Sequence, residues 1–317
     1  MEKKRDYRTL PPFSSLVGHE LLKKALIYVA VDPGIGGLLI RGEKGTGKTT
    51  AVRSFARVLP EKEVAEGCRF GCFRGGELCP ECAERGDSLQ WVRAPVEVVE
   101  LPLNATEDRV VGSIDVERAL LRGEKAFEMG ILGQAHGNVL YIDEVNLLED
   151  HIVDLLLDVS VSGVNRVRRE GVSFDHPCRF ILVGSMNPEE GELRPQFLDR
   201  FGLSVEVWGF EDFRLRSEVV RRVLLWESGG SLPEWEEADE EVRRRIEEAR
   251  RRLAGVEVPE EVVERVCRVA SEVGVSGLRG DINVVRVARA SAAYRGLPRV
   301  DREGLKEGIL LALPHRV

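Results

Sequence analysis

The N-terminal part of the chain alternates short apolar runs with polar segments. Apolar residues recur at helical spacing over residues 16–31, and the turn signal Asp32-Pro33-Gly34 follows them. The apolar run at 37–41 predicts a strand that enters a glycine-rich loop, and residues 49–59 predict a helix after that loop. This region is therefore expected to fold as a helix followed by a strand, a loop and a second helix.

The same pattern returns twice further along the chain. Short apolar runs at 139–142 and 180–183 each follow a helical stretch, and they are typical of strands buried on both faces. Buried strands alternating with helices predict a parallel sheet covered by helices on both sides, an αβα arrangement. We expect this α/β domain to end near Trp208.

The C-terminal part has a different pattern, without comparable apolar strands after Phe210. Residues 239–253 place glutamates four residues before arginines, the favourable orientation for helical ion pairs, and carry one narrow apolar stripe. Further helices are predicted at 259–272, 278–294 and 302–313. The pattern predicts two domains, an α/β domain over residues 1–209 and a helical lid over 210–317.

Composition narrows the classes of protein that fit. The 317 residues are 43% hydrophobic and 32% charged, which supports a packed core with solvated helices. The net charge of -8 makes nucleic acid an unlikely partner, because non-specific binding needs a basic surface. The N-terminus lacks an apolar signal segment and no apolar run is long enough to span a bilayer, so we expect a cytoplasmic protein that does not bind a membrane.

The glycine-rich loop matches the phosphate-binding motif G-x-x-x-x-G-K-[ST] in full. In such a loop the glycines let backbone N–H groups surround phosphates, the lysine reaches the β- and γ-phosphates, and the hydroxyl holds Mg²⁺. The sequence therefore predicts ATP and Mg²⁺ as cofactors. The predicted ATP-binding residues are Gly42, Glu43, Lys44, Gly45, Thr46, Gly47, Lys48, Thr49 and Thr50, and Thr49 is also a predicted Mg²⁺ ligand.

Two carboxylates follow the apolar run at 139–142. The end of a parallel strand beside a phosphate-binding loop is where an acid that serves Mg²⁺ belongs, so Asp143 is the second predicted Mg²⁺ ligand. Hydrolysis also needs a base that orients the attacking water, and Glu144 is predicted to be that base. Without the phosphate-binding motif, these two residues would indicate only an acidic turn.

Polar residues also follow the run at 180–183. Asn187 stands at the tip of this predicted strand, where its amide can hydrogen-bond water or the γ-phosphate. Arg200 follows shortly after and is the predicted arginine finger, a residue that ring ATPases commonly supply to the neighbouring subunit.

Four of the six cysteines lie close together in the sequence, in the spacing C-x-x-x-C followed by C-x-x-C. A reducing compartment favours free thiols or metal ligands over disulfides. We predict that Cys68, Cys72, Cys79 and Cys82 bind one structural Zn²⁺. The spacing leaves two alternatives open, namely four free thiols in a surface loop or an iron–sulfur cluster.

Several motifs together resemble one family. The chain resembles the small AAA+ ATPase subunit (I subunit) of magnesium chelatase along nearly all of its length. It also resembles archaeal relatives that accompany chelatases. The segments that carry the resemblance are Ile35-Gly36-Gly37, ATEDRVVG at 105–112, DEVNLL at 143–148, NPEEGELRPQ at 187–196 and ALPHR at 312–316.

The resemblance implies a mechanism, partners and further residue roles. It implies an AAA+ P-loop fold and a ring of identical subunits, a hexamer, that works with an adaptor subunit carrying AAA+ and integrin-type domains and with a large porphyrin-binding subunit. Asn187 then matches the sensor 1 position, Arg200 the arginine finger and Arg279 the sensor 2 arginine. Residues 104–137 match the family's insertion and 160–178 its hairpin. The implied activity is ATP hydrolysis that drives insertion of Mg²⁺ or Co²⁺ into a tetrapyrrole.

Other classes of ATPase share the same motifs. A MoxR-like chaperone and an MCM-like nucleic-acid-dependent ATPase are the alternatives. The basic stretch at 164–170 favours a solvated or subunit-contacting hairpin over a DNA contact, because no aromatic residues interleave with its charges. The D-x-S-x-S pattern at 158–162 resembles a metal site of integrin-type domains, but the helical spacing of 151–157 before it excludes the strand that such a site needs.

Overall fold

The computed structural model describes residues 10–114, 127–169, 172–230 and 232–317. The described strands are β1 Leu38–Gly42, β2 Lys62–Ala65, β3 Trp91–Ala94, β4 Val98–Leu101, β5 Gly112–Ile114, β6 Phe127–Met129, β7 Val139–Ile142, β8 Val164–Arg169, β9 Val172–Pro177, β10 Ile181–Met186 and β11 Leu203–Val207. The described α-helices are α1 Glu20–Val31, α2 Lys48–Phe55, α3 Pro80–Arg85, α4 Glu107–Val111, α5 Ile131–Ala135, α6 Asp150–Ser162, α7 Pro195–Leu198, α8 Phe213–Glu227, α9 Pro233–Arg252, α10 Glu260–Glu272, α11 Arg279–Tyr294 and α12 Arg302–Ala312.

A parallel sheet with strand order β11-β1-β10-β7-β4 is the centre of the α/β fold. Strand β1 pairs with β11 from Leu38↔Leu203 onward, and β7 pairs with both β10 and β4. Every residue of β7 is buried, as the continuous apolar run predicted. The predicted parallel α/β sheet is confirmed.

By its internal contacts the chain divides into two compact units. The described residues within Met1–Pro60 and Ser185–Val317 form the first unit, and those within Glu61–Gly184 form the second. The first unit contains β1, the phosphate-binding motif and helices α8 to α12. The second contains β7, the four clustered cysteines and three antiparallel strand pairs, β2–β3, β5–β6 and β8–β9. The predicted domain boundary between residues 209 and 210 stays a prediction.

The predicted C-terminal helices are present with small shifts of their ends. Helix α9 contains nearly all of the predicted 239–253 and ends at Arg252. It begins earlier, at Pro233, because proline at the first position has its φ preset for a helix and lacks only an N–H that would have no partner there. Its first turn is acidic and its last turn is basic, which complements the helix dipole. Between residues 210 and 317 the structure shows helices and no named strand among the residues it describes.

The residues matched to the family's hairpin form an antiparallel pair, β8–β9. Arg166 lies opposite Asp175 in this pair, with 3.7 Å between Nε and Oδ2, so part of the basic stretch is balanced within its own hairpin. Residues 150–162, which include the D-x-S-x-S pattern and the residues before it, are helical, which confirms the reason for rejecting that motif. The insertion matched at 104–137 is described except for residues 115–126.

A polar cluster joins α1 to α11 and α12 inside the first unit. The Glu307 carboxylate accepts hydrogen bonds from Tyr28 Oη, Ser291 Oγ and Lys24 Nζ, each at 2.6 Å. Burial by itself raises the pKa of Glu307, but the bonds from Lys24, Ser291 and Tyr28 outweigh it, so its pKa lies below the ordinary 4.5. The carboxylate therefore stays ionised and holds three helices together.

Replacing Glu307 with glutamine should lower the free energy of unfolding by about 1–3 kcal/mol at neutral pH, because buried hydrogen-bond partners lose their charged acceptor. A carboxyl group whose pKa is lower in the folded state than in the unfolded state stabilises the fold at pH values above its unfolded-state pKa. This stabilisation is lost as the pH falls through the folded-state pKa. Urea unfolding at pH 7 and in mild acid should show the variant losing less stability on acidification than the original chain. Glu303→Gln, on the same helix but 58% exposed, is the matched control and should change little.

None of the described helices is both long enough and apolar enough to cross a bilayer.

Candidate active site

The phosphate-binding motif lies in a loop between a buried strand and a helix, as the motif requires. Strand β1 ends at Gly42 and α2 begins at Lys48. Gly47 caps the helix with φ of +84°, a left-handed conformation that side chains disfavour, and a Cβ there would meet nothing within 4 Å. Conformation rather than space therefore requires glycine at this position. The N–H groups of the first turn of α2 are then available to an anion.

Lys48 brings a positive charge to this loop. Its Nζ donates to the carbonyl oxygens of Gly42 at 2.7 Å and Glu43 at 2.6 Å, so the side chain folds over the loop backbone. Thr49 and Thr50 follow in the first turn of α2. An ammonium group and a helix N-terminus at the same loop both favour negative charge, so these residues fit the phosphates of ATP.

The loop that follows Asn187 is joined to the phosphate-binding motif by ion pairs within the first unit. Lys44 pairs with Glu190, and Arg41 Nη2 lies 3.1 Å from Glu192 Oε1. Asn187 itself is only 4% exposed, and its Oδ1 accepts from the N–H of Glu189 at 3.3 Å. The predicted phosphate-sensing residue is thus fixed in a loop that contacts the phosphate-binding motif.

The structure also places His19 at this motif, a residue that the sequence analysis assigned to a helix. Gly18 and His19 adopt positive φ, so α1 begins at Glu20 rather than at residue 16. Burial lowers the pKa of His19, while a hydrogen bond with the backbone of Thr46 opposes this effect. The imidazole stacks on Phe210 at 4.8 Å between ring centroids, and a Cβ on Gly18 would meet that ring at 2.7 Å. In the sequence, the glycine at position 18, directly before His19, was the one signal that the helix starts after this pair.

In the second unit, the two predicted carboxylates directly follow β7. Tyr141 Oη donates to Asp143 Oδ1 at 2.9 Å. Glu144 has φ of 55° and ψ of 53°, and together with His19 it is one of two non-glycine residues with positive φ in the described part of the chain. A side chain in this conformation costs about 1–3 kcal/mol, and such strain is concentrated at functional sites. The strained turn sets the direction of the Glu144 carboxylate.

The predicted arginine Arg279 contacts the turn that carries Arg200, the other predicted arginine, in the first unit. Arg279 begins α11 and places Nη1 2.8 Å from Oδ2 of Asp199, the residue before Arg200. Arg316 contacts the same carboxylate, with Nε 3.2 Å from Oδ1, and donates to the carbonyl of Phe201 at 2.6 Å. Arg316 is nearly buried, with 2% of its side chain exposed. The sequence carries no local signal for this role of Arg316, because Asp199 and Phe201 lie more than a hundred residues away in the chain.

The four clustered cysteines converge in the second unit. Their Sγ atoms all lie within 4.8 Å of one another, so this cluster can hold a metal ion. Cys68 is partly exposed, and Cys72, Cys79 and Cys82 are buried. A hydrogen bond from the Cys72 thiol lowers the pKa of Cys68 to about 4, and the same bond raises the pKa of Cys72. Burial raises the pKa of Cys82 to about 12.

Comparison with known proteins identifies the family. A model described as the AAA domain of the dynein-related subfamily matches residues 86–201, and one described as the AAA lid domain matches residues 263–317. The magnesium-chelatase subunit ChlI homolog of Methanocaldococcus jannaschii is 52% identical over 96% of this chain and 85% of its own length. The magnesium-chelatase 38 kDa subunit of Cereibacter sphaeroides is 51% identical over 96% of this chain and 92% of its own length.

A solved structure agrees with these relatives. It is described as the complex between subunits BchI and BchD of magnesium chelatase, based on a single-particle cryo-EM reconstruction. The match has a TM-score of 0.60 at 50% identity and covers 97% of this chain and 96% of that chain. Similarity of this extent goes beyond a shared fold. The chain belongs to the family of magnesium-chelatase I subunits, and it is an AAA+ enzyme that binds and hydrolyses ATP with Mg²⁺.

Proposed function

We propose that this ATPase is the motor subunit of a multi-subunit metal chelatase, in which ATP hydrolysis drives a partner subunit to insert Mg²⁺ or Co²⁺ into a tetrapyrrole. The observation that carries the proposal is identity of about half the residues, over nearly the whole chain, to magnesium-chelatase subunits. The ATPase motifs do not distinguish which metal is inserted, so the proposal includes either metal. The chain's own chemistry is ATP hydrolysis, and the macrocycle belongs to a partner.

Each predicted site residue receives a role in hydrolysis. Residues Gly42 to Thr50 bind the phosphates, with Lys48 at the β- and γ-phosphates and Thr49 and Asp143 as Mg²⁺ ligands. Bound Mg²⁺ neutralises charge that develops on the phosphate oxygens. Glu144 accepts a proton from the attacking water and aligns that water with the γ-phosphate, and Asn187 hydrogen-bonds the water or the phosphate. The ion pair between Lys44 and Glu190 supports this arrangement, because it fixes the Asn187 loop against the phosphate-binding motif.

The arginines extend the proposal to an oligomer. In a hexameric ring, Arg200 acts in trans on the ATP bound by the neighbouring subunit, where it stabilises charge in the transition state. Arg279 senses the nucleotide as the sensor 2 arginine, in the same subunit or the neighbouring one. Support comes from Asp199, which joins Arg279 to the turn that carries Arg200. The further partners are an adaptor subunit with AAA+ and integrin-type domains and a large porphyrin-binding subunit.

Reconstitution tests this function. The purified chain is mixed with the adaptor and large subunits from the same source, and metal insertion is followed by the change in tetrapyrrole absorbance with Mg²⁺ or Co²⁺. ATP should be required, and Lys48→Ala should abolish insertion because it removes the ammonium at the phosphates. If the complete mixture inserts neither metal while DNA or an unrelated client protein stimulates the ATPase, the chelatase proposal is wrong.

A further inference from the structure

The cysteine cluster has the dimensions of a site for one tetrahedral ion. Four thiolates bound to Zn²⁺ at about 2.3 Å lie about 3.8 Å apart along each tetrahedral edge. Sγ of Cys68 lies 3.8 Å from Sγ of Cys79, and all four Sγ atoms lie within 4.8 Å of one another. These separations are too long for disulfides, which need about 2.05 Å. They also leave no room for the bridging sulfides of an iron–sulfur cluster.

The loop around the cluster already has the backbone contacts of a metal site. The N–H of Cys79 donates to Sγ of Cys72 at 3.1 Å, a contact that stabilises a thiolate. The N–H of Gly71 donates to the carbonyl of Cys68 at 3.2 Å and closes a turn between the first two cysteines. Cys79 caps α3 and Cys82 lies in its first turn, so a second turn positions the other two. Two tight turns thus present two thiols each.

The segment between β2 and β3 has little regular secondary structure. Residues 66–90 contain a single short α-helix, α3, and few large apolar side chains. Segments of this length without secondary structure are uncommon in compact domains. A bound metal supplies folding free energy to such a loop. The cluster therefore lies in a segment whose order a bound ion can increase.

Phe70 lies between the first two cysteines and packs against strands outside this loop. It is 2% exposed, and its ring lies 4.6 Å from His176 and 6.0 Å from Phe174, both on β9. The ring of Phe127, on β6, lies 6.1 Å from Phe70 and 4.3 Å from Phe174. Phe70 therefore packs against β6 of the β5–β6 pair and β9 of the β8–β9 pair.

Polar contacts strengthen the same junction. Arg69 Nη1 donates to the carbonyl of Phe127 at 2.9 Å, and its guanidinium lies 4.9 Å from the centroid of the Phe70 ring. Asn165, on β8, contacts His176 at 2.9 Å and donates to the carbonyl of Val111 at 2.7 Å. Arg69 and Phe70, together called the clamp, thus connect the cysteine loop to both strand pairs.

We propose that Cys68, Cys72, Cys79 and Cys82 bind one structural Zn²⁺, and that this ion holds the clamp in place between the β5–β6 and β8–β9 pairs. Four thiolates leave no open coordination position for water, so the ion has a structural and not a catalytic role. These strand pairs fall within the segments matched to the family's insertion and hairpin. The ion therefore orders the described strands of both segments.

Metal analysis tests the ion. The full chain, purified without added zinc or chelator, should contain about one equivalent of zinc per chain. Cys79→Ser should lose most of this zinc. Cys267→Ser replaces an exposed thiol outside the cluster and should retain it. Less than about a tenth of an equivalent of zinc in the unsubstituted chain, with all four thiols reacting freely, overturns the site, and stoichiometric iron in place of zinc also overturns it.

Hydrogen exchange tests the clamp separately from the ion. Releasing zinc with a mercurial thiol reagent should speed amide exchange in residues 112–114, 127–129, 164–169 and 172–177, with peptides from α11 as an internal reference. Phe70→Ala should speed exchange in the same strands while the protein keeps its zinc. If zinc release leaves exchange in these strands unchanged, the clamp is wrong. If Phe70→Ala leaves it unchanged, Phe70 does not transmit the effect.

Discussion

Glu144→Gln is expected to stop ATP turnover while leaving ATP binding intact. Glutamine matches glutamate in size and can occupy the same strained turn, but it cannot accept a proton from water. Loss of a general base costs about 10²–10⁴-fold in rate. The loss should appear in kcat, because Lys48 and the Mg²⁺ ligands are unchanged and continue to bind ATP. Steady-state ATPase kinetics and equilibrium binding of a fluorescent ATP analogue measure the two quantities.

The control for this experiment is a carboxylate nearby in the chain. Glu149 is 80% exposed and pairs with His151, so Glu149→Gln removes the same charge at a solvated position and should leave kcat within about twofold. A Glu144→Gln enzyme that hydrolyses ATP at close to the original rate would remove this residue from its proposed role. Loss of ATP binding in the variant would instead indicate damage to the fold of the turn.

Arg200→Ala is expected to inactivate the ring, since an arginine finger contributes about 10³–10⁵-fold to the rate of ATP hydrolysis. Mixing this variant with Glu144→Gln tests whether the finger acts across an interface. Arg200→Ala subunits have a complete set of other site residues, and Glu144→Gln subunits still present Arg200 to a neighbour. If fingers act in trans, an equal mixture should regain about a quarter of the original activity, because one site in four combines the two intact halves.

The ATPase activity of the mixed rings is interpreted with one check of ring composition and one control variant. Native mass spectrometry establishes that the mixed rings contain both variants. Arg251→Ala, an exposed arginine on α9, serves as the matched substitution and should keep full activity. Mixed rings that remain inactive would show that Arg200 acts within its own subunit or has another role.

The phosphate-binding loop and β7 could be predicted from sequence because their signals are local. A glycine-rich motif between an apolar run and a helix specifies its own backbone, and four consecutive buried residues specify a central strand. Convergence of the four cysteines was also predictable, since two short spacings bring the thiols together on tight turns. The Zn²⁺ ion itself remains a proposal.

Other features depend on contacts distant in sequence. Strand β11 was missed because Leu203–Val207 includes Ser204 and Glu206, and its pairing with β1 is what makes this mixed segment a strand. The start of α1 was placed too early, because helical spacing of apolar residues does not reveal the left-handed backbone of His19. The contact between Arg316 and Asp199 is likewise invisible to any local pattern.

The carboxylate of Asp199 forms ion pairs with two arginines, Arg279 and Arg316, so their contributions to the stability of the lid are coupled. Removing Asp199 breaks both ion pairs at once, so a further substitution of Arg279 should add little through this contact. A double-mutant cycle on these positions should therefore be strongly non-additive. The first turn of α11 and the C-terminal turn that contains Arg316 act as one cooperative element. A substitution in either should therefore alter the turn that carries Arg200.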